Sequence, residues 1–154
     1  MAAKEKILIA VDETETSFRA LRYVARLVCG MEEVEVCLLH IYPEPPPDFY
    51  MQGGILDDYR KEQDDKAGRV FSDGRELLVK AGVADGVITT DNRYAEGRTI
   101  SEELIKVRKE GEYTTVVVGK RGVSRAEEFL FGSISNTLAQ HSGNFTTWIV
   151  GSDD

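Results

Sequence analysis

Apolar residues in this chain fall into short unbroken runs, separated by longer stretches in which they recur every three or four positions. KILIAV at 6–11 is one such run, bounded by charge, as expected of a strand buried on both faces. VEVCLLHI at 34–41, GVITT at 86–90, TTVVV at 114–118 and TTWIVG at 146–151 are the others. After the first run, Phe18, Leu21, Ala25 and Val28 repeat at helical spacing. Thr14, Thr16 and Ser17 are candidate N-caps for that helix, and Gly30 stops it. Leu56, Tyr59, Gln63, Ala67, Val70, Gly74, Leu77 and Leu78 mark a long amphipathic helix that ends at Gly82. A polar turn closing at Gly97 leads to a third helix, outlined by Ile100, Leu104, Ile105 and Arg108. Ile134, Leu138 and His141 share one face of a fourth.

The pattern is β-α-β-α-β-α-β-α-β. Apolar strands separated by helices predict a parallel sheet covered on both faces, because each right-handed crossover carries a helix across the sheet. The expectation is a single doubly wound, Rossmann-like α/β domain over residues 1–154, with five parallel strands. Residues 42–54, YPEPPPDFYMQGG, interrupt the pattern with four prolines and a Gly-Gly pair, so they read as a long irregular excursion. The spacing of Pro43, Pro45 and Pro46 suits a polyproline ligand, although a stiff connector leaving a strand accounts for it more simply.

Composition narrows the function. The chain has 154 residues and a formal net charge of -8. That balance disfavours binding to a phosphate backbone or to an anionic membrane, both of which need clustered Lys and Arg. A small anion can still bind if backbone dipoles and a few local cations hold it. The two cysteines, Cys29 and Cys37, read as small buried hydrophobes rather than a disulfide or zinc framework. The first run is interrupted by Asp12 and is too short for a signal peptide, and no stretch approaches membrane-spanning length. A reduced, cytoplasmic protein is expected.

In a doubly wound sheet, ligands bind beyond the carboxyl ends of the strands, where strand order reverses. That rule picks out Val11-Asp12, His40-Ile41 and Val118-Gly119. Gly119 and Gly122 flank Lys120-Arg121, so backbone can approach a ligand where a Cβ would collide. Gly132-Ser133-Ile134-Ser135 then opens the fourth helix, whose free N–H groups and dipole favour an anion. The full spacing G-x2-G-x9-G-[ST] arises by accident with a chance on the order of one in a hundred. A polyphosphate site is the favoured reading.

These residues resemble the ATP-binding signature of the universal stress protein family. ILIAVDETETSFRAL is similar to that family's first strand and helix, LLHIYPEP to its second strand, TTVVVGKRG to its fourth strand and glycine turn, and GSISNTLAQHS to its last helix. The resemblance implies strand order 3-2-1-4-5 and ATP as ligand. It implies that Ala10, Val11 and Asp12 face the adenosine and that Ile41 meets the base through its backbone. Val118, Gly119 and Gly122 would line the ribose and phosphate path, with Gly132, Ser133, Ile134 and Ser135 holding the phosphates. Arg121 is a further candidate phosphate contact, and Mg2+ or Mn2+ would be held by the phosphates themselves. The family pairs its last strand across a two-fold axis, which makes Trp148 a candidate anchor of a homodimer. The proline usual before that strand is absent here: the chain reads Gly143-Asn144-Phe145.

No P-loop is present, and no evident base stands ready to activate water. Asp12 reads as an orienting hydrogen-bond partner, and His40 and His141 as structural. The expected function is a nucleotide-responsive regulatory module with little or no turnover, in which ATP orders the 119–132 loop for a regulatory protein partner. The alternatives are a slow ATPase, an autophosphorylating protein using Ser133 or Ser135, a nucleotidyl transferase, and a dimeric interaction protein that binds no nucleotide.

Overall fold

Of the 154 residues, a computed structural model describes 4–119, 134, 137, 138, 140, 141 and 143–151. The elements follow the expected alternation: β1 (Glu5–Ala10), α1 (Glu15–Val28), β2 (Val34–Pro43), α2 (Leu56–Lys80), β3 (Ile88–Ala95), α3 (Ile100–Gly111), β4 (Thr115–Gly119) and β5 (Thr146–Val150). The sheet order is β3-β2-β1-β4-β5, and each neighbouring pair is parallel. This is a single α/β domain with the strand order that the resemblance implies. Ile134, Thr137, Leu138 and Gln140 have helical backbone.

Both faces of the sheet are covered. On one, Val36 and Leu38 of β2 and Ile7 and Ile9 of β1 meet α1 and α2 through Leu21, Val24, Val70 and Leu78. On the other, Leu8, Leu39, Val116 and Val118 meet Leu104 and Ile105 of α3 and Leu138. Alternation along each strand sends successive side chains to opposite faces, which is why β1, β2 and β4 read as continuous apolar runs. Each fully buried leucine contributes about 2 kcal/mol of hydrophobic stabilisation.

Local chemistry sets the ends. The Thr14 side chain accepts from the Ser17 N–H at 3.2 Å and caps α1, and Gly30 follows the helix with φ +83°. Thr99 caps α3 in the same way, accepting from the Glu102 N–H at 3.1 Å. Arg75 ties the end of α2 to the next strand, donating to the Asp85 carboxylate at 2.8 Å and to the Ile88 carbonyl at 3.2 Å.

Three expectations need correction. The third strand does not occupy 86–90: residues 85–87 form a 3-10 turn, and β3 continues through Asp91, Asn92 and Arg93, which had read as a polar turn. β3 is an edge strand bonded only to β2, so polar side chains can stand on it without being buried. The second correction is that β2 runs on to Pro43, where its register with Ala95 ends, so the irregular excursion begins at residue 44. The third concerns Cys29, which caps the end of α1 and is exposed, while Cys37 is buried as expected.

Without the expected proline, the chain still enters β5 in register. The Thr146 N–H donates to the Thr114 carbonyl at 2.8 Å, and the Arg108 guanidinium lies 4.4 Å from the centre of the Phe145 ring. This cation–π contact holds Phe145 against the end of α3.

Candidate functional site

The strands diverge at their carboxyl ends. The β1–β2 register stops at Ala10↔Leu39, while β2 continues to Pro43 beside β3. β1 and β4 stay in register only from Ile7↔Thr115 to Ile9↔Val117. Where β1 leaves the sheet, a cavity of about 300 Å³ opens on the α3 face. That volume lies at the lower end of the usual range for small-molecule sites, roughly 300–1,000 Å³.

Seven sequence-predicted residues, Ala10, Val11, Asp12, Ile41, Val118, Gly119 and Ile134, all line this cavity. They come from β1 and the turn after it, β2, β4 and the helical residue 134, which sequence separates widely. Arg121, Gly122, Gly132, Ser133 and Ser135, as well as Lys120, lie outside the described residues.

Asp12 is the one charged residue lining the cavity among the described residues. The Thr14 N–H donates to its Oδ1 at 2.8 Å, and the Thr14 hydroxyl donates to the same oxygen. The Asp12 N–H in turn donates to the Ser17 hydroxyl at 2.9 Å. These bonds wrap the β1–α1 turn around one carboxylate and fix its direction. A carboxylate so placed accepts hydrogen bonds from neutral hydroxyl or amino groups and repels phosphate. The described cavity therefore suits a neutral group that can donate a hydrogen bond to Asp12.

Gly119 has a use that the sequence did not reveal. A Cβ there would stand 2.7 Å from the Thr16 carbonyl oxygen and 3.0 Å from the Thr16 Cγ2. β4 thus runs directly against the first turn of α1, and the glycine permits that approach whether or not a ligand is present.

Sequence reasoning missed half of the wall. Thr99, Ile100, Ser101 and Leu104 from the start of α3 line the cavity opposite β1, as do Thr16 and Leu39. Thr14 and Ser17 had been read only as caps, yet both line it as well. The available signal was the helix-start pattern RTISEE directly after a strand. In this fold such a segment arrives at the same end of the sheet as the predicted residues. The amino ends of both α1 and α3 consequently face the cavity, and their dipoles favour electron-rich groups there.

Neither histidine belongs to this site. His40 faces α2, and its Nδ1 lies 2.8 Å from the Asn92 Oδ1; the Asn92 amide donates to Asp64 at 2.6 Å. His141 is exposed, with Nδ1 2.7 Å from the Thr137 carbonyl. Among the described residues no three His, Cys, Asp or Glu side chains are grouped to hold a metal ion. No described helix is long and apolar enough to cross a membrane.

Known proteins share this fold. A universal stress protein of Bacillus subtilis (strain 168), YxiE, is 26% identical over 144 residues, 89% of this chain and 93% of its own. The solved structure of the protein MJ0577 superposes with a TM-score of 0.76 at 20% identity, covering 99% of both chains. A universal stress protein in complex with cAMP gives 0.63 at 17% identity, covering 97% of this chain and 98% of its own. One from Archaeoglobus fulgidus in complex with dAMP gives 0.62 at 17% identity, covering 97% and 99%. The model of the universal stress protein family matches residues 4–144, nearly the full length, and the chain belongs to that family.

Proposed function

We propose that this protein binds ATP and acts as a nucleotide-responsive regulatory module in stress response, with little or no catalytic turnover. The observation that carries the reading is the convergence of Ala10, Val11, Asp12, Ile41, Val118, Gly119 and Ile134 on one cavity at the switch point of the sheet. The complexes of structural neighbours with cAMP and dAMP support an adenine nucleotide as the ligand class.

In this reading Ile41 and Leu39 supply the apolar surface for the base, and the Asp12 carboxylate accepts a hydroxyl of the ribose. The glycine signature Gly119-x2-Gly122-x9-Gly132-Ser133 supplies the phosphate arm, with Ser135 and Arg121 as further contacts and Mg2+ or Mn2+ carried on the phosphates. Regulation is a population shift: nucleotide favours one state of the binding face, and a protein partner reads that state. The module works in the cytoplasm as a homodimer formed through β5. That strand bonds only to β4 in the sheet, leaving its outer edge for a second copy. Trp148 packs against the Tyr23 ring edge at 6.2 Å, while Ile149 is 47% exposed beside it.

The experiment is a search for co-purified nucleotide. The protein is denatured, and the released small molecules are separated against adenine nucleotide standards, with Gly132→Val treated alongside. Stoichiometric ATP from the native chain and none from the variant is expected. Release of ADP or AMP instead would favour the slow hydrolase. Absence of bound nucleotide, together with no heat of binding on titration with ATP and magnesium, would overturn the reading.

A further inference from the structure

On the opposite side of α1 from the cavity, a second concavity of about 780 Å³ runs between α1, the end of α2 and the end of β5. Arg19, Arg22 and Arg26 of α1 and Lys80 of α2 line it, and among the described residues no Asp or Glu does. The chain as a whole carries 27 acidic and 19 basic residues, so four cations in one groove, with no acid among its described lining residues, run against the overall charge. Glu15 pairs with Arg22 and Glu76 with Lys80, but both are exposed pairs, which hold their cations weakly. The floor between the cations is apolar, formed by Ala25, Leu77 and Ala81. Arg26 lies 5.7 Å from the centre of the Tyr23 ring, which sets its guanidinium beside the groove.

We infer that this groove binds an acidic peptide segment of a partner protein. The shape decides against a small anion. Arg19, Arg22 and Arg26 follow one another along a single helix face, spread over about 10 Å at 1.5 Å per residue, whereas a lone phosphate needs cations that converge. A strand of peptide with carboxylates spaced along it matches that line, and an apolar side chain among them covers the floor. Nucleic acid is a poor match, since four cations on a chain of net charge -8 neutralise few phosphates. The groove shares α1 with the cavity but none of its lining residues. The inference therefore stands whether or not ATP is the cavity's ligand.

The test uses the full chain and a fluorescein-labelled peptide, Glu-Leu-Asp-Glu repeated three times, followed by fluorescence anisotropy. Binding is expected at about 50 mM salt and should weaken several-fold at about 300 mM, where exposed charges are screened. Arg19→Glu, Arg22→Glu and Arg26→Glu together are expected to weaken it by at least about tenfold. Arg22→Gln alone, a milder change at an exposed position, should weaken it about threefold. Reversing two exposed lysines elsewhere, Lys61→Glu with Lys109→Glu, should leave it unchanged, and circular dichroism should show every variant folded. A Gln-Leu-Asn-Gln peptide of the same length should not bind. No binding of the acidic peptide, or equal loss in both sets of reversals, overturns the inference. Tripolyphosphate competing as tightly as the peptide would make this a small-anion site instead. Self-association lost in the arginine variant, with no peptide bound, would make it an interface between copies.

Discussion

Leu38 and Leu39 are neighbours in β2, each with no exposed surface, yet they face different regions. Leu38 points into the α1/α2 side, where Leu21, Val24 and Leu78 close around it to 1% exposure or less. Leu39 points to the α3 side, where it is packed by Leu104 and also forms a wall of the cavity. One face of the sheet is filled, and the other is left incomplete at the carboxyl ends of the strands. Both faces stabilise the fold, but only the α3 face also carries the proposed ligand cavity, and substitutions should separate the two roles.

The largest effect expected is at Leu38. Leu38→Ala should cost about 2–5 kcal/mol and lower the melting temperature by about 10 °C, while the folded fraction keeps its ATP affinity by calorimetry. Leu39→Ala should cost a similar amount and weaken ATP as well; equal affinities in the two variants would dissolve the division. Gly119→Ala comes next. Its new Cβ must displace the first turn of α1 at Thr16, for about 1–3 kcal/mol in urea unfolding, with ATP binding weakened in parallel. Smaller still is Thr14→Ala, which removes the cap of α1 and the hydroxyl's bond to Asp12 but keeps the backbone N–H bond, for about 1 kcal/mol of stability. A loss of affinity larger than the loss of stability would show that Asp12 must be held in place to work.

The smallest change concerns pH. Burial, and then a bond with the Cys37 thiol, push the Tyr113 phenol above its ordinary value. In the unfolded chain a tyrosine ionises near pH 10, so above that pH ionisation favours unfolding. Stability should be intact below about pH 10 and decline as pH rises beyond it. Tyr113→Phe should flatten that decline in melts recorded between about pH 9 and 11. An unchanged slope would place the alkaline sensitivity elsewhere.

How far the sequence disclosed this division depends on the kind of element. Central strands were legible because KILIAV, VEVCLLHI and TTVVV are buried on both faces and leave no polar alternation to confuse them. The second half of β3 was hidden because an edge strand can carry Asp91 and Arg93 paired to each other at 2.9 Å, which locally resembles a turn. Of the described cavity wall, the switch-point rule picked out Val11, Asp12, Ile41, Val118 and Gly119, while Ala10 came from the family resemblance and Ile134 from the start of the fourth helix. Thr99 and Ser101 were missed because the strand before them, β3, was read as ending early, which hid that RTISEE starts a helix at the same end of the sheet. Gly119 was legible as a special position, but the atom it avoids, the Thr16 carbonyl, belongs to a helix more than a hundred residues earlier.

The placement of β1 has a consequence for synthesis. The first strand of this sheet to be made becomes its middle, and the Lys6 N–H waits for the Thr114 hydroxyl, 108 residues further along. Until β4 emerges, Ile7, Leu8 and Ile9 offer one unsatisfied, wholly apolar edge to whatever strand is near. At about 5–20 residues per second this interval lasts several seconds, long on the scale of hairpin formation or collapse. The nascent chain is most exposed to mispairing at the strand whose end later borders the cavity, and only the arrival of residues 115–117 closes that edge.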